Sequence, residues 1–192
     1  MPTTSPLRAA LQRHALISTQ DAEAAALFLG FLDSHENVFE RHHPPGHFTG
    51  SAWLVSGDDQ RVLLTHHRKL QRWLQLGGHA DGDGDLARVA MREAEEESGL
   101  SGLQVEPEIF DLDRHRIPAR GPDPEHWHYD VRFVVRACAG EEVTVGEESL
   151  DLAWRRIDAL CDDDAMDESI RRMARRWLDR SMFADGADPR DG

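Results

Sequence analysis

The amino-acid sequence predicts an α/β domain with an N-terminal helical extension, on three observations. Apolar residues recur at helical spacing from about Leu86 to Ser98, and short segments on both sides of that stretch read as strands. A second amphipathic helix, at about 167–180, follows the last strand. Strands interrupted by helices in this way are the pattern of the α/β class.

Composition narrows the function. The chain has 192 residues, 36 acidic against 22 basic, and a net charge of −14. With no Lys/Arg-rich run, such a chain lacks the clustered cations that bind nucleic-acid polymers by counterion release. The longest mostly apolar run, AAALFLGFL at 24–32, falls well short of the roughly 20 residues that cross a bilayer. Mean hydropathy is −0.57, yet 40% hydrophobic residues with five Trp and seven Phe can furnish a packed core. The opening MPTTSPLRAALQRHA has no secretory pattern, which predicts a cytoplasmic protein. Cys138 and Cys161 are too far apart for a CxxC site and are expected to be inert thiols.

The elements follow in order. Few turn signals occur from Ser5 to about Asn37, and Ala22, Ala25, Ala26, Leu29 and Leu32 recur at three- and four-residue spacing, so two helices are expected. The prolines and glycine of RHHPPGH end this extension, dividing the chain into 1–45, a body at 46–180 and a disordered tail at 181–192. Segments 48–56 and 61–67 flank the turn-forming GDDQ and read as a hairpin. Further strands are expected at 104–111, 128–137 and 152–157, with IPARGPDPEHW as a loop between the first two. In the strand at 128–137, Val131, Phe133 and Val135 share one face, and His128, Asp130 and Arg132 the other. The last helix carries Arg171, Arg172, Arg175, Arg176 and Arg180, read as a solvated face or as partners for acidic residues.

The chemistry concentrates in GGHADGDGDLARVAMREAEEESGL at 77–100. With Glu93 at 0° and about 100° per residue, Glu96 falls near 300° and Glu97 near 40°. Leu86, Val89, Ala90 and Leu100 lie on the same face, so three carboxylates interrupt a stripe that packs inward. Like charges so placed destabilise a helix and raise one another's pKa unless a cation is bound. Mg²⁺ suits them, because it takes oxygen ligands from one or two carboxylates, water and substrate phosphates. Arg92, one turn before Glu96, is placed to orient that carboxylate. A calcium loop through Asp81, Asp83 and Asp85 fails, since Leu86 stands where glycine is required and Arg92 where a bidentate glutamate is required. A Walker A loop fails for want of GK[ST]. No HExxH occurs among the eleven histidines, whose spacings fit no standard zinc site.

Gly78 followed by REAEEESGL at 92–100 resembles the Nudix box, GX5EX7REUXEEXGU, with Arg92, Glu93, Glu96, Glu97, Gly99 and Leu100 in register. The first box glutamate is replaced by Gly84, and the bulky U by Ala94. The resemblance implies a Nudix-type α/β/α sandwich with a mixed β-sheet over about 46–180. It also implies hydrolysis of a nucleoside diphosphate linked to another group, by water attack at phosphorus. Glu93, Glu96, Glu97 and the Gly77 carbonyl would hold Mg²⁺ or Mn²⁺, with Arg92, Glu96 and Glu97 catalytic. A further catalytic carboxylate is expected outside the box, at Glu148 or Glu147, with Glu125 competing. Arg68, Lys69, His79, His128 and Arg132 are candidate contacts to a small nucleotide-type substrate, and Trp127 and Tyr129 either stack on a base or pack. Two alternatives stay open: a catalytically silent nucleotide-binding module, and an isomerase of the isopentenyl diphosphate kind, which would need a pocket cysteine. The N-terminal helices are compatible with a homodimer.

Overall fold

The computed structural model describes residues 5–121, 124–146 and 149–185, with side chains as far as Arg180. The elements are α1 (Pro6–His14), α2 (Thr19–Ser34), β1 (Gly46–Val55), β2 (Arg61–His67), β3 (Arg72–Leu74), β4 (Leu76–His79), α3 (Leu86–Ser98), β5 (Leu103–Ile117), β6 (His126–Ala137), β7 (Ser149–Arg156), α4 (Ile157–Leu160) and α5 (Glu168–Asp185). The strands form one seven-stranded mixed sheet.

β1 is its axis, buried at every position. A strand covered on both faces needs ladder partners on both edges. β6 runs parallel along one edge, from Gly46 opposite Trp127 to Val55 opposite Arg136. The other edge is shared, with β4 pairing antiparallel to Thr49–Ala52 and β2 only at Val55 opposite Val62. The expected hairpin of β1 and β2 therefore exists only at its base. Beyond it β2 pairs with β7 along its length, and β4 takes the place beside β1. The ladder between β5 and β6 reaches Ile117 opposite His126, so β5 continues past its expected end at Asp111 and only the two ends of the expected loop are strand; β5 stops where Pro118 has no N–H to donate.

Two helical layers cover the sheet. On one face, Leu7 and Leu11 of α1, Phe28 and Phe31 of α2 and Leu86 and Val89 of α3 pack on Phe48, Tyr129 and Val131. The N-terminal helices are thus part of the main core. Tyr129 is committed to it, since the Phe31 ring stacks on it with centroids 3.9 Å apart, so it is packing and not a base-stacking surface. On the opposite face Ile170, Met173 and Trp177 of α5 join Ile157 and Leu160 of α4 against Trp53, Val62 and Val134. α5 runs to Asp185, past its expected end; the rest of the expected tail, 186–192, lies outside the described residues. No helix among the described residues is long and apolar enough to cross a membrane.

The arginines of α5 meet acids from the rest of the chain. Arg172 binds Asp111 and Asp113, Arg176 binds Asp21 of α2, and Arg180 binds Glu106. The basic stripe is therefore an internal fastening of α5 to the sheet edge and to α2.

Because Phe28 is 1% exposed between the extension and the sheet, Phe28→Ala should destabilise the whole chain by about 3–5 kcal/mol in urea unfolding. A loss below about 1 kcal/mol, or a separate early transition, would mean that the extension folds independently of the sheet.

Candidate active site

The site begins where β4 lies against β1. Gly77 faces Ser51, Gly78 faces Gly50 and His79 faces Thr49. α3 crosses directly above. A Cβ at Gly50 would come within 2.8 Å of the Leu86 carbonyl and 2.9 Å of the Val89 side chain. A Cβ at Gly77 would strike Ser51, and one at Gly78 would fall on the Glu93 carboxylate. Three glycines thus let a helix and two strands approach to backbone distance. α3 starts where the Asp85 side chain accepts from Arg88 N–H and stops at left-handed Gly99, φ 72°.

Glu97 and Glu93 occupy that contact. The Gly77 N–H donates to Glu97 Oε1 at 2.8 Å, which brings two expected metal ligands together. Arg92 Nη2 donates to Glu93 Oε1 at 2.8 Å and to the His79 carbonyl at 3.0 Å, tying the helix to the end of β4. Arg92 was expected to orient Glu96, but that pair is 4.0 Å apart and the Glu96 side chain is 66% exposed. The wheel explains it: the buried arc runs from Val89 through Leu86 and Ala90 to Ser98, and Glu96 falls just outside its edge. Burial pushes the Glu93 carboxyl above the usual carboxylate range, and Glu96 and Asp81 add to this while Arg92 opposes it. A hard divalent cation is the partner such a set of oxygens fits, because it removes the cost of charging a desolvated carboxylate.

The loop before α3 is built from its own ion pairs. Asp81 accepts from Arg41 Nε at 2.8 Å, Asp83 accepts from Arg88 at 2.6 and 2.8 Å, and Asp85 caps the helix. Arg41 also reaches His79 Nδ1 at 3.1 Å. Gly84, where the box has glutamate, lies near Phe39.

The other expected residues are dispersed. Arg132 is a correction: its side chain is 2% exposed and held among Asp130, Asp111 and Asp113 on the α5 side of the sheet, so its charge is committed internally. Asp130 also accepts from Thr49, Ser51 and Gln75. Arg68 and Lys69 are exposed in the turn after β2, where Arg68 Nη2 donates to the Ser149 carbonyl at 3.0 Å. Glu147 and Glu148 lie outside the described residues. Glu125 pairs with Arg116. Trp127 carries the Arg114 guanidinium over its ring at 4.3 Å. Cys138 is exposed just beyond β6 and Cys161 partly buried after α4.

His79 and His128 belong to a cluster that sequence spacing did not reveal. His47 packs against His79, His126 and His128 with ring centroids 5.1, 5.0 and 4.6 Å away. Burial, followed by the neighbouring His79 and His126, lowers His47 to about 3. Burial and then His47 and His115 lower His128 to about 2. The one sequence signal was the alternation of His126 and His128 on a strand face; His47 joins them only through the parallel pairing of β1 with β6.

A model of the NUDIX domain matches residues 47–177. Among solved structures, a NUDIX-family hydrolase from Clostridium perfringens is 26% identical, with a TM-score of 0.50, covering 70% of this chain and 97% of that one. A C. elegans Ap4A hydrolase is 17% identical with a TM-score of 0.54, covering 72% and 98%. The E. coli dihydroneopterin triphosphate pyrophosphohydrolase is 16% identical with a TM-score of 0.56, covering 69% and 95%. The last two likenesses are of fold. The chain matches no curated protein.

Two outcomes test this geometry. Gly78→Ala should displace Glu93 at a stability cost within about 1 kcal/mol, yet weaken Mg²⁺ affinity about 10- to 100-fold by calorimetric titration. Unchanged affinity would place the cation elsewhere. For pH, His47 and His128 have folded values far below the ordinary 6.5. The unfolded chain therefore binds protons that the folded chain refuses, and stability present above pH 6.5 is lost as pH falls below it. In EDTA, Tm should begin to drop near pH 6.5, and His128→Asn should flatten the slope between pH 6.5 and 5. A drop that begins only in the carboxylate range would contradict neutral buried histidines.

Proposed function

The chain belongs to the NUDIX domain family and is a hydrolase of phosphoanhydride bonds; we propose that it cleaves a nucleoside diphosphate linked to a further group, using Mg²⁺ or Mn²⁺ held at α3. The observation that carries this reading is the placement of Glu93 and Glu97 against Gly78 and Gly77, with the Arg92 guanidinium tying Glu93, and the Gly77 N–H tying Glu97, to β4. The donors are hard carboxylate and carbonyl oxygens, which fit Mg²⁺ or Mn²⁺ better than a softer ion.

Glu93, Glu96, Glu97 and the Gly77 carbonyl would hold the cation. Once bound, it would polarise phosphoryl oxygens, offset developing charge and lower the pKa of the attacking water. The residues themselves supply position. Arg92 fixes Glu93 to the strand end through its second hydrogen bond, on the His79 carbonyl. The Gly77 N–H fixes one Glu97 oxygen and so orients the other. Glu96, exposed at the rim, remains accessible to an incoming group. In the reaction, water oxygen forms a bond to one phosphorus while the bridging P–O bond breaks, leaving two phosphate-ended products and a released proton. We assign the carboxylate that takes that proton to Glu148, the candidate outside the box that the family resemblance leads one to expect.

His79, whose backbone carbonyl is linked through Arg92 to Glu93, is one proposed substrate contact, with Arg68 and Lys69 proposed to meet phosphates. The Ap4A and dihydroneopterin triphosphate enzymes share the fold and act on the compounds in their names. A panel should therefore span dinucleoside polyphosphates, nucleotide sugars, ADP-ribose and triphosphates. The proposed setting is cytoplasmic, with a small-molecule substrate.

Glu97→Gln should lower kcat by more than about tenfold against the best substrate, with circular dichroism and Tm near wild type. Wild-type turnover in this variant would overturn the assignment of α3 as the metal-binding helix.

A further inference from the structure

Away from the box carboxylates, three histidines point at one another from two strands. His47 and His128 are register partners across parallel β1 and β6, and His126 lies two residues before His128, on the same face. One ligand nitrogen from each lies within 4.8 Å of the others. His126 Nε2 and His128 Nε2 are 3.3 Å apart. His47 is 1% exposed, and neither of its ring nitrogens has a hydrogen-bond partner among the described residues. A buried polar atom left unsatisfied is destabilising, so this ring is placed at a cost that a bound ligand would remove.

We propose that His47, His126 and His128 form a tris-histidine site for a borderline divalent transition-metal ion, Zn²⁺ being the type, distinct from the carboxylate site on α3. Tetrahedral zinc with bonds of about 2.0–2.1 Å sets its ligand nitrogens about 3.4 Å apart. The His126–His128 separation already matches, and modest rotation of the His47 ring completes the set. Imidazole nitrogen selects zinc, cobalt, nickel or copper over magnesium, so the two sites sort different ions.

The position is separate from the box. Glu97 is anchored at Gly77, which faces Ser51, four residues along β1 from His47, or about 13 Å at roughly 3.3 Å per residue. His47 and His126 line a cavity of about 360 Å³ whose wall also includes Arg41, His42, His43 and His79. With two of the three proposed ligands on this wall, a fourth position on the ion would open to the cavity for water or a substrate oxygen, the arrangement of metal sites that bind an exchangeable ligand. The proposal does not depend on the hydrolase reading, because it rests on residues outside α3.

Cobalt titration tests it. The full chain, stripped with EDTA and dialysed into excess Mg²⁺ to fill the carboxylates, is titrated with Co²⁺ while its visible d–d absorption is recorded. One equivalent should bind with the intense bands of four-coordinate cobalt. The bands should persist in Glu97→Gln and weaken in His126→Ala, with Co²⁺ affinity down at least about tenfold and circular dichroism unchanged. His126 is partly exposed, which makes it the variant most tolerant of replacement; His128→Asn is the second. Absence of a Co²⁺ site in excess Mg²⁺ overturns the proposal, as do bands lost in Glu97→Gln and retained in His126→Ala, which would place the ion on the box. Loss of turnover in Glu97→Gln with the cobalt bands intact supports both readings, and normal turnover with those bands intact would leave this site standing while the assignment of α3 as the metal-binding helix fails.

Discussion

The approach of α3 to β1 and β4 is the constraint on which the rest of the site depends. Side chains normally hold a helix about 10 Å from a sheet. Here Gly50 and Gly78, register partners across β1 and β4, remove them beneath α3, and the helix settles close enough for Gly77 N–H to reach a glutamate of the fourth turn. That closeness also gives Glu93 its environment: beneath it lies backbone, and its water is replaced by Arg92 on one side and by the strand on the other. A carboxylate in that position is held ready for a cation by the packing that supports the fold. Site and core are therefore one structure, and a methyl group added at Gly78 acts on the site before it acts on stability.

The opposite face of the sheet follows a different rule. α5 is attached by an apolar stripe and by arginines whose partners come from β5 and α2. Arg132 and Asp130, buried in the middle of this layer, hold their charges because each has several partners of opposite sign or hydrogen-bonding groups. Such networks contribute less net stability than their Coulomb energy implies, since each charge must first be desolvated. They also tie α5 to β5 and to α2 at named positions. Many of the acids thus lie in α3 and its loop or are paired with arginine, and a bound metal ion would let a chain of net charge −14 receive an anionic substrate.

The local chain carried much of this. The period of α3, its Asp85 and Gly99 ends and the inward side of Glu93 and Glu97 all follow from neighbours within a few turns, so sequence alone located them. Glu96 was less well placed, because a wheel has no information about where the edge of the sheet falls. The β1–β2 hairpin was overestimated for the same reason: turn residues report that a chain reverses, and not which strand then takes the vacant edge. Arg132 illustrates a second limit. A polar residue on an alternating strand looks the same in sequence whether it faces substrate or a buried carboxylate, and α5 decides between them.

By itself the sequence determined the α/β class, the box helix, its carboxylates and the family they resemble, because these depend on spacings of three and four residues that a helix converts directly into a face. Tertiary structure decided what lies across long separations. The pairing of β1 with β6 brings His47 beside His126 and His128 over some eighty residues of chain, and the docking of α2 on the sheet makes the N-terminal extension part of the core. Neither leaves a local trace, since parallel pairing and helix docking are selected by burial of the whole assembly and not by any short stretch within it.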